Sequence, residues 1–190
     1  KNYLRKVLNH DFIQKLKSYE VFEKAFTEKE FLTYKYDSTY EYFYHFWRKY
    51  ELWLLKDKEK YNRKDNYYKG SNGKALEVII TFLITREKIL IKYMDENIGI
   101  PYVKPDLILE RKDKKLIFLS LKTSLRERWK QADWEAAKFK KKYPNDYCYL
   151  LSNNTKEIKN LKKKIKFLDL EDVFSTTKED FAKLFLILNN

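Results

Sequence analysis

Two carboxylates and one amine near the middle of this 190-residue chain are of the types that phosphodiester hydrolysis uses. Pro105-Asp106 heads the short apolar run Asp106-Leu107-Ile108-Leu109-Glu110, and Ser120-Leu121-Lys122 closes another that begins at Leu116. Lys112-Asp113-Lys114 between them reads as a hairpin turn, which would lay Asp106 beside the end of the second run. Residues two apart on a strand face the same side, so Ser120 and Lys122 share a face. The next segment has a helical period over about 127–142, stopped by Pro144. On it Arg128, Gln131 and Glu135 fall at i, i+3 and i+7 and line one face, while Trp129, Ala132, Ala136 and Phe139 form an apolar side suited to packing on a sheet. Asp133 is a rival acid, but it points about 200° around the helix from Glu135. Mg²⁺ takes a few carboxylate oxygens plus waters, stabilises charge on a phosphate and lowers the pKa of bound water. A lysine beside it adds positive charge where the transition state needs it.

These residues require elements to hold them. Apolar positions at three- and four-residue spacing predict helices over 3–9 and 11–27. Asp37-Ser38-Thr39 offers a helix start, followed from Tyr40 to Leu55 by an aromatic stripe read as core, with a dimer interface or a DNA-facing surface as the other reading. Residues 56–72 read as a polar connector ending in Lys69-Gly70-Ser71-Asn72-Gly73. A helix over about 73–86 follows, and then the period shortens. Runs at 89–93, 106–110 and 116–121 predict a three-stranded antiparallel meander. Beyond the 127–142 helix come a buried strand at 147–151, a Lys-rich helix at 155–163, a strand at 165–168 and a closing helix at 177–188. The class is α/β or α+β, a mixed sheet flanked by helices. A helical part at 1–68 would precede a core at 69–190, in one compact domain overall.

The pattern Pro105-Asp106 … Lys122 resembles the PD-(D/E)xK nucleases, with one departure: Ser120 stands where an acid is expected two residues before the lysine. The run from Lys122 to Glu135 (KTSLRERWKQADWE) resembles a subgroup of type II restriction endonucleases, the EcoRII and PspGI type and the CCGG-cutting enzymes, whose second acid has moved onto the following helix. The resemblance covers about 70–151. It implies a restriction-endonuclease-like fold and Mg²⁺ held by Asp106, Glu135 and the Leu121 carbonyl, with Lys122 orienting the attacking water. Glu135 stands at the displaced-acid position and Ser120 at the vacated one. Gly73-Lys74-Ala75-Leu76-Glu77 resembles the start of the helix before the sheet in those enzymes. Glu77 is then either a group near the active site or an ordinary first-turn glutamate. The segment after the lysine would meet DNA through Ser124, Arg126, Glu127, Arg128 and Lys130. Arginine can pair with guanine O6 and N7, and glutamate with cytosine N4; the arginines gripping phosphate, or Arg128 pairing with Glu135, is the other reading. The implied activity is site-specific cleavage of double-stranded DNA by a homodimer, leaving 5′-phosphates. A repair or structure-specific nuclease of the same fold is an alternative, and a non-catalytic DNA-binding subunit a more distant one.

Composition agrees with such a partner. Lys and Arg number 41 against 28 Asp and Glu, a formal charge of +13, which favours a polyanion. Abundant Lys, Asn, Tyr, Phe and Ile also fits an A/T-rich genome, which raises the Lys count independently. The one cysteine, Cys148, excludes an intrachain disulfide and fits a reducing cytoplasm; its apolar neighbours mark it as a small buried hydrophobe. No apolar run reaches the ~18 residues of a membrane span, and neither a signal peptide nor a nucleotide-binding glycine loop is evident. His10 and His45 are far apart and have no ligand cluster around them. The chain begins at Lys1 and its one methionine is Met94, as expected of a fragment or of a chain lacking N-terminal residues.

Overall fold

The computed structural model describes residues 35–62, 69–94 and 96–190; the helices expected at 3–9 and 11–27, and His10, lie outside them. The chain divides into two compact units, 1–86 and 87–190.

In the first unit, helix α1 spans Thr39–Tyr61 and helix α2 spans Lys69–Arg86. The expected start is a working cap. Ser38 Oγ accepts the Glu41 N–H at 3.3 Å, and the Glu41 carboxylate accepts the Asp37 N–H at 3.1 Å, so donors that a helix start leaves unpaired find acceptors. The aromatic stripe is largely core: Tyr42, Phe43, Phe46 and Tyr50 are buried, and Phe46 meets Phe82 of α2 edge-on. The expected connector is shorter than 56–72. Helix α1 continues to Tyr61, and α2 takes in Gly70, Ser71, Asn72 and Gly73 despite their poor helix propensity. Asn72 earns its helical place through tertiary contact, its Oδ1 accepting the Tyr50 hydroxyl at 3.0 Å.

The second unit is built on a mixed five-stranded sheet. Its strands are β1 (Leu90–Met94), β2 (Leu107–Glu110), β3 (Leu116–Lys122), β4 (Tyr147–Ser152) and β5 (Asp172–Ser175), in that spatial order. Strands β1 to β3 form the expected antiparallel meander, whereas β3–β4 and β4–β5 pair in parallel. Parallel pairs need crossovers. Helix α3 (Arg128–Lys142) makes the first, helix α4 (Thr155–Lys162) with a short 3₁₀ turn the second, and helix α5 (Lys178–Asn189) closes the chain.

One expected strand is corrected. Residues 165–168 do not extend; Ile165–Phe167 forms a 3₁₀ turn, closed by the Leu168 N–H on the Ile165 carbonyl at 3.0 Å. Residues three apart eclipse in such a turn, so Ile165 and Leu168 both pack on the core. The fifth strand is Asp172–Ser175 instead, which the sequence pattern did not suggest.

Alternation sorts the sheet's side chains. Ile108, Phe118, Cys148, Leu150 and Val173 meet Ala132, Ala136 and Phe139 of α3 and Ile158 and Leu161 of α4. Small alanines let α3 lie close to the sheet. Cys148 is fully buried there, its thiol aimed at the Ala136 carbonyl (Sγ to O 3.9 Å), and burial pushes the thiol pKa well up.

Candidate active site

The antiparallel register sets Leu107 opposite Leu119, so Asp106, one residue ahead of β2, comes beside the last turns of β3's pleat. Three donors converge on one of its oxygens. Oδ2 accepts the Leu121 N–H at 2.7 Å, the Lys122 Nζ at 2.8 Å and the Ser120 hydroxyl at 3.2 Å. Among the described residues no donor reaches Asp106 Oδ1. Ser120 is fully buried. In place of a second acid it supplies a hydroxyl that donates to the first. Lys122 is largely buried too and ion-paired with Asp106, so its ammonium is held at a fixed point rather than waving in solvent.

Glu135 comes from α3, which packs against β3 and β4. It is 4% exposed, next to the fully buried Ala136 and one turn from Ala132, so it lies at the border of the packed face and not on a solvated one. Burial raises its pKa; the Gln131 hydrogen bond and the Lys122 charge pull it back, and the Asp106 charge pushes it further up. The Glu135 carboxylate thus interacts electrostatically with both strand residues. Gln131 Nε2 donates to Oε1 at 2.9 Å, and Glu135 Oε2 accepts nothing among the described residues. Two unspent carboxylate oxygens, one on a strand end and one on a helix, are hard donors of the kind a small divalent cation takes. Among the described residues no group of three or more His, Cys, Asp or Glu side chains is arranged to hold a metal ion.

Asp133 has a different task. It accepts the Asp169 N–H at 2.6 Å and so ties α3 to the segment entering β5. Burial raises its pKa as well.

The segment joining Lys122 to α3 is pinned at its centre. Leu125 is buried, and its N–H donates to the Glu157 carboxylate of α4 at 2.6 Å. Glu157 was not singled out from the sequence; it lies 32 residues away and no local pattern links it to the turn. Around this pin Arg126, Glu127, Arg128 and Lys130 are all exposed, and Ser124 is half-buried. Glu127 pairs with Lys130 at 2.5 Å. Neither Arg126 nor Arg128 forms an ion pair among the described residues, so the expected alternative of an Arg128–Glu135 pair is not observed. Arg126 adopts φ +27°, a conformation a non-glycine residue rarely takes. Glu77 belongs to the first unit, on α2, where Lys74 pairs with it at 2.5 Å.

No helix among the described residues is long and apolar enough to cross a membrane. No protein-family model matches the chain, and no curated protein matches it. Among solved structures, the restriction endonuclease PspGI in complex with its substrate DNA is similar over 92% of this chain and 82% of that one, with a TM-score of 0.58 and 18% sequence identity. At that identity the likeness establishes the fold: this chain has a restriction-endonuclease fold.

Proposed function

We propose that the chain is a Mg²⁺-dependent type II restriction endonuclease that cuts double-stranded DNA at a specific site and leaves 5′-phosphates. One observation carries the reading. A strand-end aspartate bound by a lysine and a strand N–H interacts electrostatically with a buried helix glutamate, and each carboxylate keeps one oxygen unspent. The solved neighbour's complex with substrate DNA and the basic composition of this chain support the same choice of partner.

Asp106, Glu135 and the Leu121 carbonyl would hold the cation, which when bound supplies charge neutralisation at the phosphate and a more acidic water. The protein's own residues do the rest. Lys122, anchored on Asp106, holds an ammonium beside the attacking water, orients it and stabilises the charge that develops on the phosphate oxygens. Ser120 and the Leu121 N–H fix the Asp106 carboxylate so that it needs no reorganisation during attack. Gln131 does the same for Glu135. In-line attack of the water on phosphorus then expels the 3′-oxygen and leaves the phosphate on the 5′ side. Arg126 and Arg128, exposed on a pinned turn, would read base edges. A two-fold homodimer would set one active centre on each strand of a roughly symmetric site.

Incubation with phage DNA and Mg²⁺ tests this directly. Discrete fragments with 5′-phosphate ends, lost on chelation, are the expected result. Cutting confined to junctions or flaps would indicate a structure-specific nuclease instead, and DNA that is retarded but uncut would indicate a binding module.

A further inference from the structure

Two exposed side chains flank the candidate active site symmetrically in sequence, and both sit on left-handed backbone. Arg126 lies four residues after Lys122, and Tyr102 lies four residues before Asp106, at φ +64°. Because β2 begins where β3 ends in the antiparallel register, both segments leave the sheet at the same end. Tyr102 is 90% exposed, and among the described residues neither its ring nor its hydroxyl has a partner.

The exposure is not a matter of a loose loop. Ile100-Pro101-Tyr102-Val103 is a tight turn, closed by the Val103 N–H on the Ile100 carbonyl at 3.1 Å. Ile100 and Val103 are both buried in the core beside α3. Upstream, Lys142 Nζ of α3 donates to the Ile98 carbonyl at 3.1 Å, and Asn97 Oδ1 accepts the Gly99 N–H at 2.8 Å. Proline second and a positive φ third is the type II pattern, whose third position favours glycine. A tyrosine there strains the backbone and gains no contact within the protein. Such strain, held by firm anchors next to reactive groups, marks a side chain kept for something outside the fold.

We propose that Tyr102 is a contact for the sugar–phosphate backbone of duplex DNA, held beside the reacting phosphate by the same segment that delivers Asp106. The inference rests on the nuclease reading. The chemistry suits the place: a phenol can donate to a phosphate oxygen while its ring covers the deoxyribose. The contact fixes register without reading sequence. It also releases no counterion, unlike a lysine or arginine.

The test is the binding of the full chain to labelled random-sequence duplexes, without divalent metal, over a series of salt concentrations. Tyr102→Gly should bind about tenfold more weakly, the size of one hydrogen bond to a charged oxygen. Its plot of log affinity against log salt should run parallel to that of the wild type. Its melting temperature should equal or exceed the wild type's, since glycine relieves the turn. Tyr102→Phe, which keeps the ring, should lose less. Affinity within twofold of wild type, a changed salt slope, or a fall in melting temperature that accompanies the lost affinity would each overturn the proposal. Where the wild type binds and cuts DNA and Tyr102→Gly matches it, this inference alone fails. Where the wild type neither binds nor cuts, the nuclease reading fails and takes the inference with it.

Discussion

Two aspartates at the same end of the sheet receive the same three kinds of donor and yet differ in what they can do. Asp106 accepts from a serine hydroxyl, a backbone N–H and a lysine. So does Asp180, in the first turn of α5: Ser175 offers its hydroxyl at 2.6 Å and its N–H at 2.9 Å, and Lys162 its ammonium at 2.6 Å. At Asp180 the bonds are divided, with Lys162 on Oδ1 and Ser175 on Oδ2, so both oxygens are occupied. At Asp106 all three fall on Oδ2. Asp180 is a clasp joining β5, α4 and α5, whereas Asp106 keeps an acceptor in reserve and interacts electrostatically with the buried Glu135. The types of residue do not separate the two. The distribution of bonds over the two oxygens does, together with a second carboxylate, Glu135, that burial makes costly to ionise.

That contrast can be broken by substitution. The largest effect is expected at the open site. Asp106→Asn, Lys122→Ala and Glu135→Gln should each cut DNA more slowly by about 10²–10⁴-fold, the range for losing a positioned acid–base or charge-stabilising group, with binding retained in a gel-shift assay. Glu135→Gln sharpens the comparison because stability should move the other way. Burial raises the Glu135 pKa, so its ionised form weakens the fold once pH exceeds that raised value. The amide should therefore leave the urea midpoint unchanged or higher at neutral pH, and a fully active Glu135→Gln would remove the displaced-acid assignment.

The clasp should show the reverse profile. Asp180→Ala is expected to cost about 2 kcal/mol in urea unfolding, since it removes a charge-assisted bond and leaves half-buried donors unpaired, while folded protein cuts as before. Burial pulls the Asp180 pKa up, but the Lys162 and Ser175 bonds outweigh it and the net shift is downward. A depressed carboxylate stabilises the fold above its ordinary pKa and loses that contribution as pH falls through the folded value. The gap between wild type and Asp180→Ala should accordingly close in acid; a gap constant with pH would show that packing, not charge, holds the clasp.

Smaller changes belong to the turn after Lys122. Arg128→Ala should weaken specific binding by about 1–3 kcal/mol if it reads a base, and an equal loss on random DNA would assign it to phosphate. The exposed Glu127–Lys130 pair should contribute under about 1 kcal/mol to stability, measured by a double-mutant cycle.

The strand that carries Lys122, and the helix that carries Glu135, were legible because their apolar periods are long and distinct. Residues 116–121 are nearly all buried, as a central strand demands, and Ala132, Ala136 and Phe139 repeat at helical spacing. Strand β5 was not legible. It is four residues long with only Val173 and Phe174 apolar, too short to show a period. Ile165-Lys166-Phe167-Leu168 alternates like a strand but curls, because a 3₁₀ turn puts its first and last residues on the same side. At the candidate site, spacing put Ser120 and Lys122 on one face beside Asp106, and those three do meet. It did not give the Leu125–Glu157 pin or the choice of one Asp106 oxygen over the other, since both depend on where distant segments meet. Nor did it mark Tyr102, one tyrosine among 16.

Cys148 gives the experimenter a built-in clock. It is the only thiol in the chain and lies wholly inside the layer between β4 and α3. An alkylating reagent meets it only when that layer parts, so the labelling rate under native conditions measures how often the sheet and helix separate. The same trace, repeated with added DNA, would report how firmly a bound duplex holds it shut, with no engineered probe.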